Sequence, residues 1–280
     1  MHIQNSYKDN KNTLFIIPSP IGNLEDITLR TLSTLNQLNI LYCEDTRVTI
    51  KLLNHFEIKI NKLDSYHEYN KEDKLESIKN DLLTQDVGII TDAGMPGISD
   101  PGYHIINEIY KESNVVILPG AVAFTLPLVY SNLIDKSFTY HGFLSKQKSQ
   151  RQKELELILS KDIPTIIYLS KHKFISTLEL ILTLNPNTQL TVGRELTKLH
   201  EQYIQGSVKE VLDYYKDNVI KGEFVLVIKP IQIKEDIKPI DYFINLTKEG
   251  YDKKEAIKLT AKEYNVPKND IYQLILRGGR

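Results

Sequence analysis

The feature that most limits the fold of this chain is a series of short, unbroken apolar runs, each ending at a turn and followed by an amphipathic stretch. Leu14-Phe15-Ile16-Ile17 stops at Pro18 and Pro20, Ile40-Leu41-Tyr42-Cys43 stops at Glu44, and 87–91 runs into a Gly/Pro-rich loop over 92–102. Strands that are apolar along their whole length, with no alternation, belong to a mostly parallel sheet covered on both faces. The stretches between them read as helices. One runs from a cap at Asp26 to Gln37, burying Ile27, Leu32, Leu35 and Leu38, and others cover 46–55, 71–83 and 103–112, with a strand over 115–118. After Pro119-Gly120 the alternation restarts: helix 121–132, strand 138–143, helix 149–160, strand 164–169 and helix 172–184. Strand 189–193, helix 207–217 and strand 224–229 follow. Residues 231–239 read as a linker and 240–277 as three short helices, the last starting after Pro267 at Lys268. The expected organisation is an N-terminal α/β domain over 1–122, a second α/β domain over 123–232 and a helical module over 233–280.

The chain's 280 residues are ample for two domains, and 41% apolar with 25% charged residues is the balance of a folded globular protein. No run approaches the roughly 18 apolar residues of a membrane span. The polar start MHIQNSYKDNKN lacks the apolar centre of a signal peptide. The expected location is cytoplasmic. A single cysteine, Cys43, excludes an intramolecular disulfide framework and a Cys-rich zinc site. The net charge of −1 leaves room only for local basic patches.

In open α/β sheets ligands bind beyond the carboxyl ends of the strands. Four loops of this chain fall there: 18–23 (PSPIGN), 44–47 (EDTR), 91–102 (TDAGMPGISDPG) and 119–121 (PGA). Each taken alone is an ordinary strand-to-helix turn, but four at one sheet edge mark a binding cleft. The sequence has no GxGxxG after the first strand, no GxxxxGK[ST], no GxSxG and no HExxH, so dinucleotide, P-loop, hydrolase-elbow and zincin sites are unsupported and no metal is expected.

Residues 14–30 (LFIIPSPIGNLEDITLR), 44–47, 91–102, 119–121, 141–144 (HGFL), 193–201 (GRELTKLHE) and 222–228 (GEFVLVI) resemble the tetrapyrrole-methylase superfamily. Within it they resemble the bacterial 16S rRNA (cytidine-2'-O)-methyltransferases, the small-subunit methyltransferase I group, over about residues 13–276. The chain departs from the family pattern at Ser19, Thr91 and Met95, and more strongly over Tyr168-Leu169-Ser170-Lys171-His172-Lys173. The resemblance implies a homodimer of two α/β domains, with S-adenosylmethionine (SAM) folded into the cleft between them, acting on a decoding-centre cytidine of 16S rRNA in the 30S subunit. By position it assigns cofactor contacts to Pro20, Met95, Ile98, Ser99, Val122, Ala123, Tyr168, Leu169, Gly222, Glu223 and Phe224.

A ribose hydroxyl is a weak acid, so its methylation calls for a base or a stabilising cation. Candidates are Glu44, Asp45, Arg47 and His67. Glu44 and Asp45 serve equally as helix caps, Arg47 as an ion-pair partner, and His67 as a structural residue of a Tyr-rich loop. For RNA contact, 145–153 carries Lys146, Lys148, Arg151 and Lys153 with no acid, and reads equally as a flexible phosphate-binding loop or a solvated helix start. Lys171, His172 and Lys173 add charge at another strand end, and the C-terminal helices carry a basic excess suited to rRNA, to a dimer contact or to solvent. Two rival readings remain: a methylase of a small tetrapyrrole-like substrate on the same scaffold, and a non-catalytic SAM- or ribosome-binding assembly factor.

Overall fold

The structure is a computed structural model that describes all residues except 7, 9, 10, 100, 101, 134–136, 219, 230–237, 265, 279 and 280, and leaves the side chains of 277 and 278 undescribed. It forms two compact units, Met1–Ile231 and Gln232–Arg280.

The first sheet contains β1 (Thr13–Ile17), β2 (Ile40–Cys43), β3 (Lys62–Ser65), β4 (Val87–Ile90) and β5 (Asn114–Ile117), ordered β3-β2-β4-β1-β5. All pairings are parallel, with Leu14 opposite Val87 and Ile40 also opposite Val87. The strand period of two sorts the apolar runs onto opposite faces. Leu14, Ile16, Tyr42 and Ile89 pack with Ile78 and Leu82 of α3 (Lys71–Leu82) and Ile105 and Ile109 of α4 (Gly102–Ile109). Ile17, Leu41, Cys43 and Ile90 pack with Leu35 of α1 (Leu29–Gln37) and Leu53 of α2 (Thr46–His55). Each such side chain, fully buried, contributes about 1.5–3 kcal/mol. Burial also pushes the Cys43 thiol up to about 11, which keeps it protonated and apolar.

The expected cap at Asp26 gives way to two smaller starts. Asn23 accepts from the Glu25 amide to cap a single 3-10 turn over Leu24–Asp26, and Thr28 accepts from the Thr31 amide to begin α1. Ile27 is extended between them, which breaks the helix that its apolar spacing suggests. The strand β3 was not legible: it is an edge strand with no fully buried residue, so it lacks an apolar run.

The second sheet contains β6 (Thr139–Phe143), β7 (Thr165–Ser170), β8 (Gln189–Arg194), β9 (Gln202–Ser207) and β10 (Glu223–Ile228), ordered β6-β7-β10-β8-β9. Only β6 and β7 are parallel, and the remaining pairings are antiparallel. One face packs against α6 (Lys148–Leu159), α7 (Lys171–Leu184) and α8 (Val208–Lys216) through Leu155, Phe174, Leu178 and Val211. The other face, with Ile166, Val225 and Val227, is covered by Leu128 of the short helix α5 (Thr125–Tyr130), by Leu196 and by Ile21 from the loop after β1. The helix expected over 121–132 is only these six residues, and Val122 and Ala123 precede it on the wall of a cavity. The second edge strand, β9, is likewise polar and was not legible as a strand.

The C-terminal unit is α9 (Pro239–Lys248), α10 (Lys253–Glu263) and α11 (Lys268–Gly278) around Phe243, Leu246 and Ala256, with Ile257 and Ile275 against them. Pro239 opens the first helix, and Asp252 caps the second by accepting from the Lys254 and Glu255 amides. Among the described residues, no helix is long and apolar enough to cross a membrane.

Candidate functional site

All five strands of the first sheet point their carboxyl ends the same way, so the loops after β1, β2, β4 and β5 share one edge. The loop after β4 is held against the loop after β1 by a reciprocal backbone pair: the Ser19 amide donates to the Gly94 carbonyl (3.0 Å) and the Gly94 amide to the Ser19 carbonyl (3.1 Å). The Thr91 hydroxyl donates to the same Gly94 carbonyl at 3.0 Å. Gly94 has φ +85°, and a Cβ there would lie 3.3 Å from Ile21 Cγ2, so the tight approach of the two loops needs glycine.

Across from this edge, the second sheet presents the ends of β6 and β7 and the start of β10. Between them lies a cavity of about 510 Å³. From the first sheet it is lined by Ile21, Glu44 and the run Thr91 to Met95 with Ile98 and Ser99. Val122 and Ala123 follow, and Phe143, Tyr168, Leu169, Ser170, Leu196, Lys198, Glu223, Phe224 and Val225 complete the wall. The two sides also bond directly: Ser99 Oγ lies 2.7 Å from the Tyr140 hydroxyl, and the Asn23 amide donates to Thr197 Oγ1 at 3.1 Å.

Nine of the eleven cofactor positions assigned by resemblance line this cavity: Met95, Ile98, Ser99, Val122, Ala123, Tyr168, Leu169, Glu223 and Phe224. Pro20 and Gly222 are sequence neighbours of lining residues and do not line it. Of the four reaction candidates, Glu44 lines it and Asp45, Arg47 and His67 do not. Asp45 caps α2, accepting from the Arg47 amide and pairing with the Arg47 guanidinium, whose hydrogen bonds hold the Asp45 carboxyl down at about 2. His67 sits between β3 and α3, its amide donating to Asn70 Oδ1 and its buried Nδ1 without a hydrogen-bond partner.

Sequence reasoning passed over Asp92 and Lys198. The Asp45 amide donates to Asp92 Oδ1 at 3.0 Å; burial, with the Asp45 charge nearby, pushes the Asp92 carboxyl above its usual range. Lys198 is held between Glu195 (3.0 Å) and Glu223 (3.6 Å). Burial pushes the Glu195 carboxyl up, but Lys198 and the Glu223 amide outweigh it and leave the group below its usual range. Both residues stand inside the blocks that carry the family resemblance, which was the signal available for finding them. Burial also pushes the Tyr168 hydroxyl up; it accepts from the Phe124 amide at 3.2 Å and so stays a neutral wall of the cavity.

Of the two readings of the basic segment, the helix start is the one the structure has, with Arg151 departing from a solvated face. Lys148 already belongs to α6, and Lys146, Lys148 and Lys153 are exposed, whereas Arg151 is only 7% exposed. Arg151 shares a helical stripe with Leu155 and Ile158, which face the sheet, and this turns its side chain inward. Among the described residues, no group of three His, Cys, Asp or Glu is placed to hold a metal ion.

Residues 13–212 match the family model for tetrapyrrole (corrin/porphyrin) methylases. The chain is 40% identical over 98% of its length to the ribosomal RNA small subunit methyltransferase I of Halalkalibacterium halodurans, covering 99% of that protein. The chain belongs to the tetrapyrrole methylases, in the ribosomal RNA small subunit methyltransferase I branch. Two crystal structures share the methylase fold at 12% identity. One is diphthine synthase (TM-score 0.60, 78% of this chain and 90% of that one). The other is a Thermus thermophilus uroporphyrin-III C-methyl transferase complexed with S-adenosylhomocysteine (TM-score 0.52, 77% and 96%). The matched methylase model ends within α8, whereas the match to the methyltransferase I relative spans 98% of this chain and so takes in α9–α11.

Proposed function

We propose that the chain binds SAM in the cavity between its two sheets and methylates the 2'-hydroxyl of a cytidine in the decoding centre of 16S rRNA, with the 30S subunit as substrate. The observation that carries this reading is the cavity itself. Its volume lies within the roughly 300–1,000 Å³ range of small-ligand sites. Met95, Ile98, Val122, Ala123, Leu169 and Phe224 give apolar walls for an adenosyl group, and the Gly94 backbone is bare enough for close approach. Membership of the methyltransferase I branch supports the rRNA substrate.

SAM supplies a methyl group that passes to the ribose oxygen, the C–S pair staying with sulfur and the hydroxyl proton leaving. The protein's part is positioning and proton handling. Glu44 and Asp92 both stand on the cavity wall, and the upward shift of Asp92 strengthens it as a proton acceptor. Met95 gives the cavity an apolar wall and no charged contact. Arg47 is committed to Asp45 and acts through the shape of the loop after β2. A homodimer acting in the cytoplasm completes the proposal.

Transfer of labelled methyl from SAM to 30S subunits lacking the modification, followed by mapping of the labelled nucleotide, tests it. Label on the ribose of a single cytidine is the expected result. Absence of label from a protein that binds SAM overturns the substrate and leaves the cavity assignment standing.

A further inference from the structure

The parallel strands β6 and β7 lie side by side, with Phe143 opposite Tyr168, and each feeds a helix at its carboxyl end. The N-termini of α6 and α7 therefore open at one edge of the sheet, next to Phe143 and Ser170 of the cavity wall. Both starts are built against ordinary practice. A helix N-terminus leaves amide donors unsatisfied and carries a partial positive charge, so it favours a capping oxygen and acidic residues. Neither Gln147 nor Ser170 caps its helix with its side chain, and neither first turn contains an acid. Instead Lys146, Lys148, Lys171, His172 and Lys173 crowd the edge, all exposed and none in an ion pair among the described residues.

Arg151 adds an independent observation. It is 7% exposed, and its Nε and Nη1 are buried without a hydrogen-bond partner. Burying a guanidinium in that state is costly unless a partner arrives. The nearest acid along its helix, Glu154, is taken by the Ser145 amide (2.8 Å) and His141 (3.8 Å). Helical side chains lean toward the N-terminus, so Arg151, one turn before Leu155 on the sheet-facing stripe, is directed at the open helix start. Phe143, 60% exposed at the same edge, offers an aromatic face.

We propose that this edge is a receptor for the backbone of single-stranded RNA: Arg151 and the amides starting α6 and α7 take phosphodiester groups, the lysines hold the flanking phosphates, and Phe143 stacks a base. Uncapped helix starts select an anion, and an exposed aromatic beside them selects a nucleic-acid strand. The inference rests on the rRNA reading above and adds to it the route by which the strand reaches the cavity.

The test measures binding of the full-length protein to a single-stranded RNA oligonucleotide over a salt series, with SAM affinity, thermal stability and methyl transfer to unmodified 30S subunits read in parallel. Arg151→Met is expected to weaken RNA binding roughly tenfold or more while Tm holds or rises, because an unpaired buried charge is removed. A purely structural arginine would instead lower Tm and leave RNA affinity unchanged, and that result overturns the proposal. Replacing Lys146, Lys148, Lys171 and Lys173 by Gln is expected to flatten the salt slope by about 0.7 for each phosphate the edge no longer neutralises, with SAM affinity unchanged; an unchanged slope overturns it. Inorganic phosphate stabilising the wild type but not Arg151→Met, with RNA indifferent to both, overturns RNA in favour of a free-phosphate site. Wild-type protein that binds RNA through Arg151 yet labels no 30S subunit refutes the proposed reaction and keeps this receptor. Wild-type protein that labels 30S normally while Arg151→Met binds RNA unchanged refutes the receptor and keeps the reaction.

Discussion

At the carboxyl edge of the first sheet, Asn23 and Thr28 cap the two turns after β1 and Asp45 caps α2 while holding Arg47, and α3, which has no side-chain cap, carries Glu72 and Asp73 in its first turn. At the carboxyl edge of β6 and β7, α6 and α7 start without a side-chain cap and carry cations where acids belong. The first edge meets these helix starts with capping oxygens or acids and offers backbone and carboxylates to a small ligand. The second leaves donors and positive charge open to an anion from outside. In the proposed division of tasks the compact cofactor lies between the two sheets and the long polyanion is held at the carboxyl edge of β6 and β7.

The largest effect comes from breaking the closed edge at its tightest point. Gly94→Val places a β-branched side chain at φ +85°, against Ile21. Strain of this kind costs on the order of 1–3 kcal/mol, and here it is relieved by pushing the loop after β4 into the cavity. Calorimetry is expected to show SAM affinity reduced by more than tenfold, while RNA binding at the second edge stays near that of the wild type. Equal loss of both would show that the edges are not independent.

Next in size is conversion of the open edge into a closed one. Gln147 has the extended backbone of an N-cap, φ −74° and ψ 128°. Gln147→Asp supplies the missing acceptor and a charge favourable to the helix dipole, so Tm is expected to rise by about 2–4 °C. The same carboxylate competes for the amides and repels phosphate, so RNA affinity falls. Gain of stability with loss of RNA binding is the outcome that sharpens the comparison; gain of both would break it.

How much of this was legible in the sequence follows from the same contrast. The closed edge was readable because its strands are buried on both faces and its loops are short and rich in Gly and Pro, so each cavity residue after β4 and β5 stands beside a recognisable turn. The edge strands β3 and β9 were not, since a strand solvated on one side carries no apolar run. Lys198 enters the cavity through an approach that no local pattern encodes: a Cβ on Gly22 would lie 2.5 Å from its Cγ, some 176 residues away in sequence (198 − 22). Arg151 was available in principle. Its spacing of four and seven from Leu155 and Ile158 puts it on the buried stripe, but a run of cations without acids reads first as a solvated surface.

The smallest expected effect separates two carboxylates that lie side by side on the closed edge. Asp45 is held at about 2 by Arg47, so its ionised form stabilises the fold above the unfolded value near 3.8 and that contribution disappears as pH falls toward 2. Asp92 is shifted the other way by burial and by Asp45, so its protonated form is the one the fold favours, and stability is lost as pH rises through its raised value. Thermal melts should therefore show Asp45→Asn less stable than wild type at pH 7, with the difference closing between pH 4 and 2. Asp92→Asn should be as stable as wild type in acid and more stable at neutrality. If Asp92 accepts the substrate proton, that stabilised variant is also the one whose methyl transfer falls while its SAM affinity holds, because the charge that strains the folded protein is the charge the reaction uses. An Asp92→Asn protein that is neither stabilised at pH 7 nor slowed in transfer would remove the carboxylate from the mechanism and leave Glu44 as the only proposed acceptor on that wall.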